Sequence, residues 1–122
     1  MKTIMLVLFS TAVSAHEMAP TYFEFKNSIY NDIYETTILL TNRREDQTYY
    51  EISVVDENFE PVRFATSNRL VNVKSFTRQY FTLYVRKKEL EKAVYICTTS
   101  KTPKGKSGLS GVTTRICSKR KR

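Results

Sequence analysis

The 122-residue chain has no tryptophan, one histidine, two cysteines, three glycines and three prolines. Each scarcity excludes something. One histidine cannot serve a site that needs a histidine pair, and with two cysteines it cannot complete a tetrahedral metal set. So few glycines and prolines rule out a collagen-like or low-complexity chain. No apolar run reaches the roughly 20 residues of a transmembrane helix. Acidic residues are scarce in one half only. Residues 61–122 hold sixteen Lys or Arg against Glu89 and Glu91, a net of +14, whereas residues 1–60 hold four against ten, a net of −6, and the two sum to +8. This asymmetry points to a polyanion or an anionic surface as partner for the C-terminal half. The plainer reading is an acidic and a basic surface of one sandwich that partly offset each other.

What is present suits one β-rich domain. Hydrophobic residues make up 41%, and eight Tyr with seven Phe are enough aromatics for a core. The first segment reads as an export signal. Lys2 is a basic n-region, Ile4 to Val13 is a short apolar run, and Val13-Ser14-Ala15 puts small residues where a signal peptidase cuts. Residues 1–15 are therefore expected to be a signal peptide and residues 16–122 a single domain with a basic C-terminal tail. The location would be exported, periplasmic or extracellular. His16 would be the mature N-terminus, in a segment expected to be mobile. A terminal histidine can chelate copper, but such a site needs a second histidine.

Export changes how Cys97 and Cys117 read. An oxidising compartment favours their pairing, which would close a loop of 19 residues (117 − 97 − 1). In the chain-entropy view that bridge contributes about 3 kcal/mol. The alternatives are two free thiols or half a metal site.

Three stretches alternate with period two. Tyr34, Thr36, Ile38 and Leu40 alternate with Glu35, Thr37, Leu39 and Thr41. Tyr50, Ile52 and Val54 alternate with Glu51, Ser53 and Val55. Phe81, Leu83 and Val85 alternate with Thr82, Tyr84 and Arg86. Such alternation marks half-buried strands. Residues 42–46 and 56–61 are turn-like clusters, Asn31-Asp32 and Lys74-Ser75 shorter turns, and Arg86 to Lys92 a helical turn or charged loop. The last strands are expected over Ala93–Ser100 and Val112–Cys117, joined by a basic loop that holds every glycine of the chain. About seven strands with regularly spaced turns predict an all-β, immunoglobulin-like β-sandwich.

Catalytic chemistry finds no footing. No second base accompanies His16, and no pair of carboxylates stands apart. Gly105-Lys106-Ser107 resembles the end of a phosphate-binding loop, but Ser100 stands where its first glycine belongs and a strand follows in place of a helix. The chain reads as no enzyme, with no cofactor, metal or small-molecule substrate. The basic patch comprises Arg86, Lys87, Lys88, Lys101, Lys104, Lys106, Lys119, Arg120, Lys121 and Arg122. It is a candidate surface for nucleic acid, lipopolysaccharide or an anionic membrane.

The order of features resembles a known family. An export signal, Ala19-Pro20, a strand and then YETTILLTN (Tyr34 to Asn42) look like the start of the N-terminal domain of PapD-like periplasmic pilus chaperones. The stretch YYEISVVDENFEPVRFATSNRLVNVKSFTRQYFTLYV (residues 49–85) resembles that family's middle strands. The resemblance implies a PapD-like sandwich with a disulfide-linked C-terminal hairpin, since one branch of the family bridges its last two strands where Cys97 and Cys117 stand. It also implies donor-strand complementation, in which a strand is lent to a subunit of a pilus, secretion or surface assembly. Val112, Thr114 and Ile116 would belong to that donor or edge strand. By position, Lys26 and Arg115 match the cation pair that holds a partner's C-terminal carboxylate. The chain departs from the family in ending after one domain, and its final strand is short and polar. The expected function is a non-enzymatic exported protein-interaction module. The alternatives are a cationic polyanion binder or a structural component of a surface or virion assembly.

Overall fold

A computed structural model describes residues 16–101 and 113–121. Among the described residues nine strands form two sheets: β1 (His16–Ala19), β2 (Tyr22–Phe23), β3 (Lys26–Asn27), β4 (Ile33–Asn42), β5 (Tyr49–Val55), β6 (Leu70–Asn72), β7 (Arg78–Arg86), β8 (Tyr95–Lys101) and β9 (Arg115–Arg120). In the first sheet, β4 pairs with β7 on one side and with β1 and β3 on the other. The second sheet runs β2-β9-β8-β5-β6.

The opening segment serves both sheets. Strands β1 and β3 lie antiparallel along the same edge of β4, opposite its C-terminal and N-terminal halves respectively. Between them the chain crosses over, through a cis Ala19–Pro20 peptide, and β2 pairs in parallel with the end of β9. The Ser118 hydroxyl donates to the Pro20 carbonyl at 2.7 Å and holds this crossing to β9.

Alternation decides what is buried. On β4, Thr36, Ile38, Leu40 and Asn42 face inward, and on β7 Phe81, Leu83 and Val85 do the same. Tyr50, Ile52 and Val54 of β5 and Ile96 of β8 meet them from the second sheet, with Phe23 closing the β2 side. Each fully buried aliphatic or Phe side chain among them stabilises the fold by about 1.5–3 kcal/mol relative to exposure. The expected all-β sandwich is thus present. Its terminal hairpin is bridged by Cys97 and Cys117, which stand directly opposite each other with Cα atoms 4.0 Å apart.

Three local expectations change. His16 does not lie in a mobile end: it opens β1 and is fully buried, because its ring packs on Tyr50 and its nitrogens meet threonines. The last strand does not span Val112–Cys117. It starts at Arg115 and continues through Ser118, Lys119 and Arg120, since β2 supplies pairing for the residues read as tail. Asn42 belongs to a strand rather than to a turn, as the inward register of β4 extends to it. Residues 87–89, left between helical turn and loop, form a single 3-10 turn. The signal segment, the loop residues Lys104 and Lys106, Val112 and Arg122 lie outside the described residues.

Candidate functional site

The most polar part of the interior lies at the C-terminal end of β4. The Asn42 amide donates to the Gln47 carbonyl at 2.9 Å and to the Val73 carbonyl at 2.8 Å. Its oxygen accepts from the Arg44 backbone N–H at 2.9 Å and from the Tyr50 hydroxyl at 2.5 Å. Four partners satisfy the whole amide, as a buried asparagine requires. Alongside, His16 Nε2 lies 2.9 Å from Thr98 Oγ1 and its Nδ1 3.4 Å from Thr114 Oγ1. Burial lowers the His16 pKa below 6.5, the Thr98 carbonyl partly opposes this, and Arg44 adds to the lowering. Burial likewise raises Tyr50 to about 12. The cluster is enclosed and hydrogen-bonded, so it ties β1, β4 and the loops at residues 43–48 and 73–77 together and offers no face to a ligand.

Two open features remain, and the first is an edge. Backbone bonds from Ser100 N to Thr114 O and from Arg120 N to Val94 O show that even-numbered residues of this strand region turn their backbone toward β8 and its approach. Odd-numbered residues turn the other way: Lys119 N reaches Thr21 O at 3.0 Å and Lys121 N reaches Phe23 O at 2.8 Å. Strand β2 ends that cover. The backbone groups of Arg115 and Cys117 therefore face an edge on which no described strand pairs. Above it, on the outer face, Phe59 stacks on Tyr95 with ring centroids 4.9 Å apart, and the Arg115 guanidinium lies 5.5 Å from the Phe59 ring. Phe59 takes φ 60°, an uncommon conformation for a bulky residue. Asp56 fixes that turn by accepting from the Asn58 and Glu60 N–H groups at 2.8 and 2.9 Å.

The second feature is a groove of about 450 Å³ at the end of the sandwich where β4 begins and β7 ends. Arg63, Arg69, Arg86 and Lys88 line it together with Phe64 and Tyr84. Arg69 sits 4.6 Å over the Phe64 ring and donates to the Phe64 carbonyl at 3.0 Å. None of these cations forms a salt bridge among the described residues.

The residues singled out from sequence fall as follows. Lys26 is exposed on β3 opposite Glu35, and it shares a shallow groove with Lys121. Arg115 opens β9 on the other sheet and lies over Phe59, so Lys26 and Arg115 stand on different sheets. Thr114 and Ile116 are half-buried, with the Thr114 hydroxyl directed at His16. Within the basic patch, Arg86, Lys87 and Lys88 gather at the groove, whereas Lys101 ends β8 and Lys119 lies on β9. Arg120 donates to the Leu90 and Glu91 carbonyls, and Lys121 lies 3.8 Å from Glu24. Sequence reasoning missed Arg63, Phe64, Arg69 and Phe59. A basic residue beside an aromatic in RF (residues 63–64) was the available signal, but nothing in a linear pattern places it against Arg86.

No known family profile matches the chain, and no curated protein sequence does. Among solved structures it is similar to the ASH/PapD-like domain of human CEP192 (PapD-like domain 7). The TM-score is 0.50 at 10% identity, over 98% of this chain and 94% of that one. With the sheet order and register above, that likeness makes the fold of this chain a PapD-like, immunoglobulin-like β-sandwich.

Proposed function

We propose that this chain is a non-enzymatic, exported protein-interaction module that takes up an extended partner segment along the open edge of β9, in a chaperone-like manner. The carrying observation is the run at Arg115–Cys117 whose backbone groups face away from β8 with no described strand pairing to them. An added strand gains main-chain hydrogen bonds there, and the side chains on either face set its specificity. The disulfide holds β9 to β8 at the point of use, so the edge is kept in shape before a partner arrives. Arg115 stands at the start of that edge as a cation for a partner carboxylate, which would be held by charge-assisted bonds. Lys26 is the second candidate anchor, at the opposite end of the molecule's β3–β4 edge. A subunit of a surface or secretion assembly that lacks a strand has the chemistry this edge accepts.

The edge separates backbone from side-chain recognition by mutation. Arg115→Pro removes an N–H that faces the open side and spares the β8 ladder, a position where proline is tolerated. Arg115→Ala keeps that N–H and removes the charge. A partner captured from the exported fraction and then purified should lose affinity to Arg115→Pro by tenfold or more. It should lose less to Arg115→Ala or Lys26→Ala. Equal binding by the proline variant and the native chain would overturn strand addition at β9.

A further inference from the structure

The turn between β3 and β4 carries two large side chains that nothing among the described residues covers. Ile29 is 92% exposed and Tyr30 61%. Single exposed apolar residues are ordinary, but two at one turn tip beside a cluster of cations are a different arrangement. The turn is also held in shape. Ser28 Oγ accepts from the Tyr30 N–H at 3.0 Å and donates to the Tyr30 carbonyl at 3.1 Å. The Ser28 N–H reaches the Ile33 carbonyl at 3.1 Å, and Asp32 takes φ 60° to close the turn. These bonds keep Ile29 and Tyr30 projecting instead of folding back.

The same turn is fastened to the cations. The Lys87 N–H donates to the Asp32 carbonyl at 2.8 Å, which ties the tip to the 3-10 turn at Lys87–Glu89. Asn31, Asp32 and Ile33 share one surface hollow with Arg86, Lys87 and Lys88, and Ile33, Arg86 and Lys88 also border the groove of Arg63 and Arg69. The acidic groups facing this surface are Asp32 and Glu89, fewer than the cations around them. We propose that this end of the sandwich docks on an anionic lipid surface, with Ile29 and Tyr30 entering the headgroup region and the surrounding Arg and Lys meeting lipid phosphates. A soluble polyanion would use the cations but would leave the Ile29 side chain in water. A bilayer interface uses both, since apolar tips insert while long cationic side chains remain at the headgroup level. This surface is distinct from the β9 edge, and the proposal stands independently of strand addition.

The absence of tryptophan gives a clean probe, because Ile29→Trp makes the chain's sole tryptophan. Its emission should shift to the blue on vesicles of phosphatidylcholine with phosphatidylglycerol and stay unchanged on phosphatidylcholine alone. In flotation with the anionic vesicles, Ile29→Ser with Tyr30→Ser should weaken binding at least about tenfold. Lys87→Gln with Lys88→Gln should weaken it about 25-fold, about fivefold per charge. These four side chains are on the surface, so unchanged circular dichroism separates lost docking from lost folding. An unshifted tryptophan on anionic vesicles, or a serine variant that floats as well as the native chain, overturns the proposal. So does single-stranded DNA binding as tightly as the vesicles with the serine variant unchanged on both, because the surface then reads phosphate charge in solution.

Discussion

His16 shows how a single side chain can set a pH response. Its ring is buried between Thr98, Thr114 and Tyr50, and burial holds its pKa below 6.5. The unfolded chain has no such environment, so its histidine takes up a proton as pH falls through about 6.5. Between that pH and the lower folded value, the unfolded state binds more protons, and stability falls as pH falls. Below the folded value the loss is complete. Urea midpoints measured across mildly acidic pH should therefore decline for the native chain, and His16→Phe, which keeps the aromatic contact and cannot titrate, should show a flatter profile. Parallel profiles would remove His16 as the cause. Little of this was legible beforehand. A histidine beside a signal-cleavage motif reads as a free end, and its burial depends on Thr98, 82 positions away. Asn42 was within reach, because the inward register Thr36, Ile38, Leu40 runs straight to it.

At the scale of elements, legibility followed length. Strands β4, β5 and β7 each span at least seven residues, long enough for period two to show. Strands β2 and β3 have two residues each and β6 has three, so none leaves a period. The end of β9 was hidden for another reason. SKR (residues 118–120) has the composition of a solvated tail, yet β8 and β2 flank it and Ser118 bonds to Pro20. The β8–β9 hairpin also carries the covalent link, and Phe59 lies over the neighbouring Tyr95. Cys97→Ala with Cys117→Ala frees a loop of 19 residues in the unfolded state and should cost about 3 kcal/mol. Urea unfolding should register this as a lower midpoint with a somewhat steeper slope, because the freed unfolded chain exposes more surface. A midpoint equal to that of the native chain would mean that strand pairing alone fixes the hairpin.

For the whole molecule, the fold redistributes the charge that the sequence separates. Strands of the two halves alternate within the sheets: β4 of the acidic half lies beside β7, β5 lies between β6 and β8, and β2 pairs with β9. Cations of the second half are thereby laid beside carboxylates of the first, as where Lys121 approaches Glu24. Such interleaving offsets only part of the charge. It leaves a general positive excess, +8 over the chain, and a concentration of cations around Arg63, Arg69, Arg86 and Lys88. These two remainders respond to salt in opposite directions. Self-repulsion of a compact, positively charged chain destabilises it, and added salt screens that repulsion once the Debye length falls to about 10 Å at 0.1 M. The thermal midpoint should therefore rise modestly between low and moderate ionic strength. Over the same range, docking of the Ile29–Tyr30 end on anionic vesicles should weaken, because its cations are screened from the lipid phosphates. A thermal midpoint that falls with salt would show that attractive pairs such as Lys121 with Glu24 outweigh the excess. The interleaving of the strands would then have neutralised the molecule more fully than its net charge indicates.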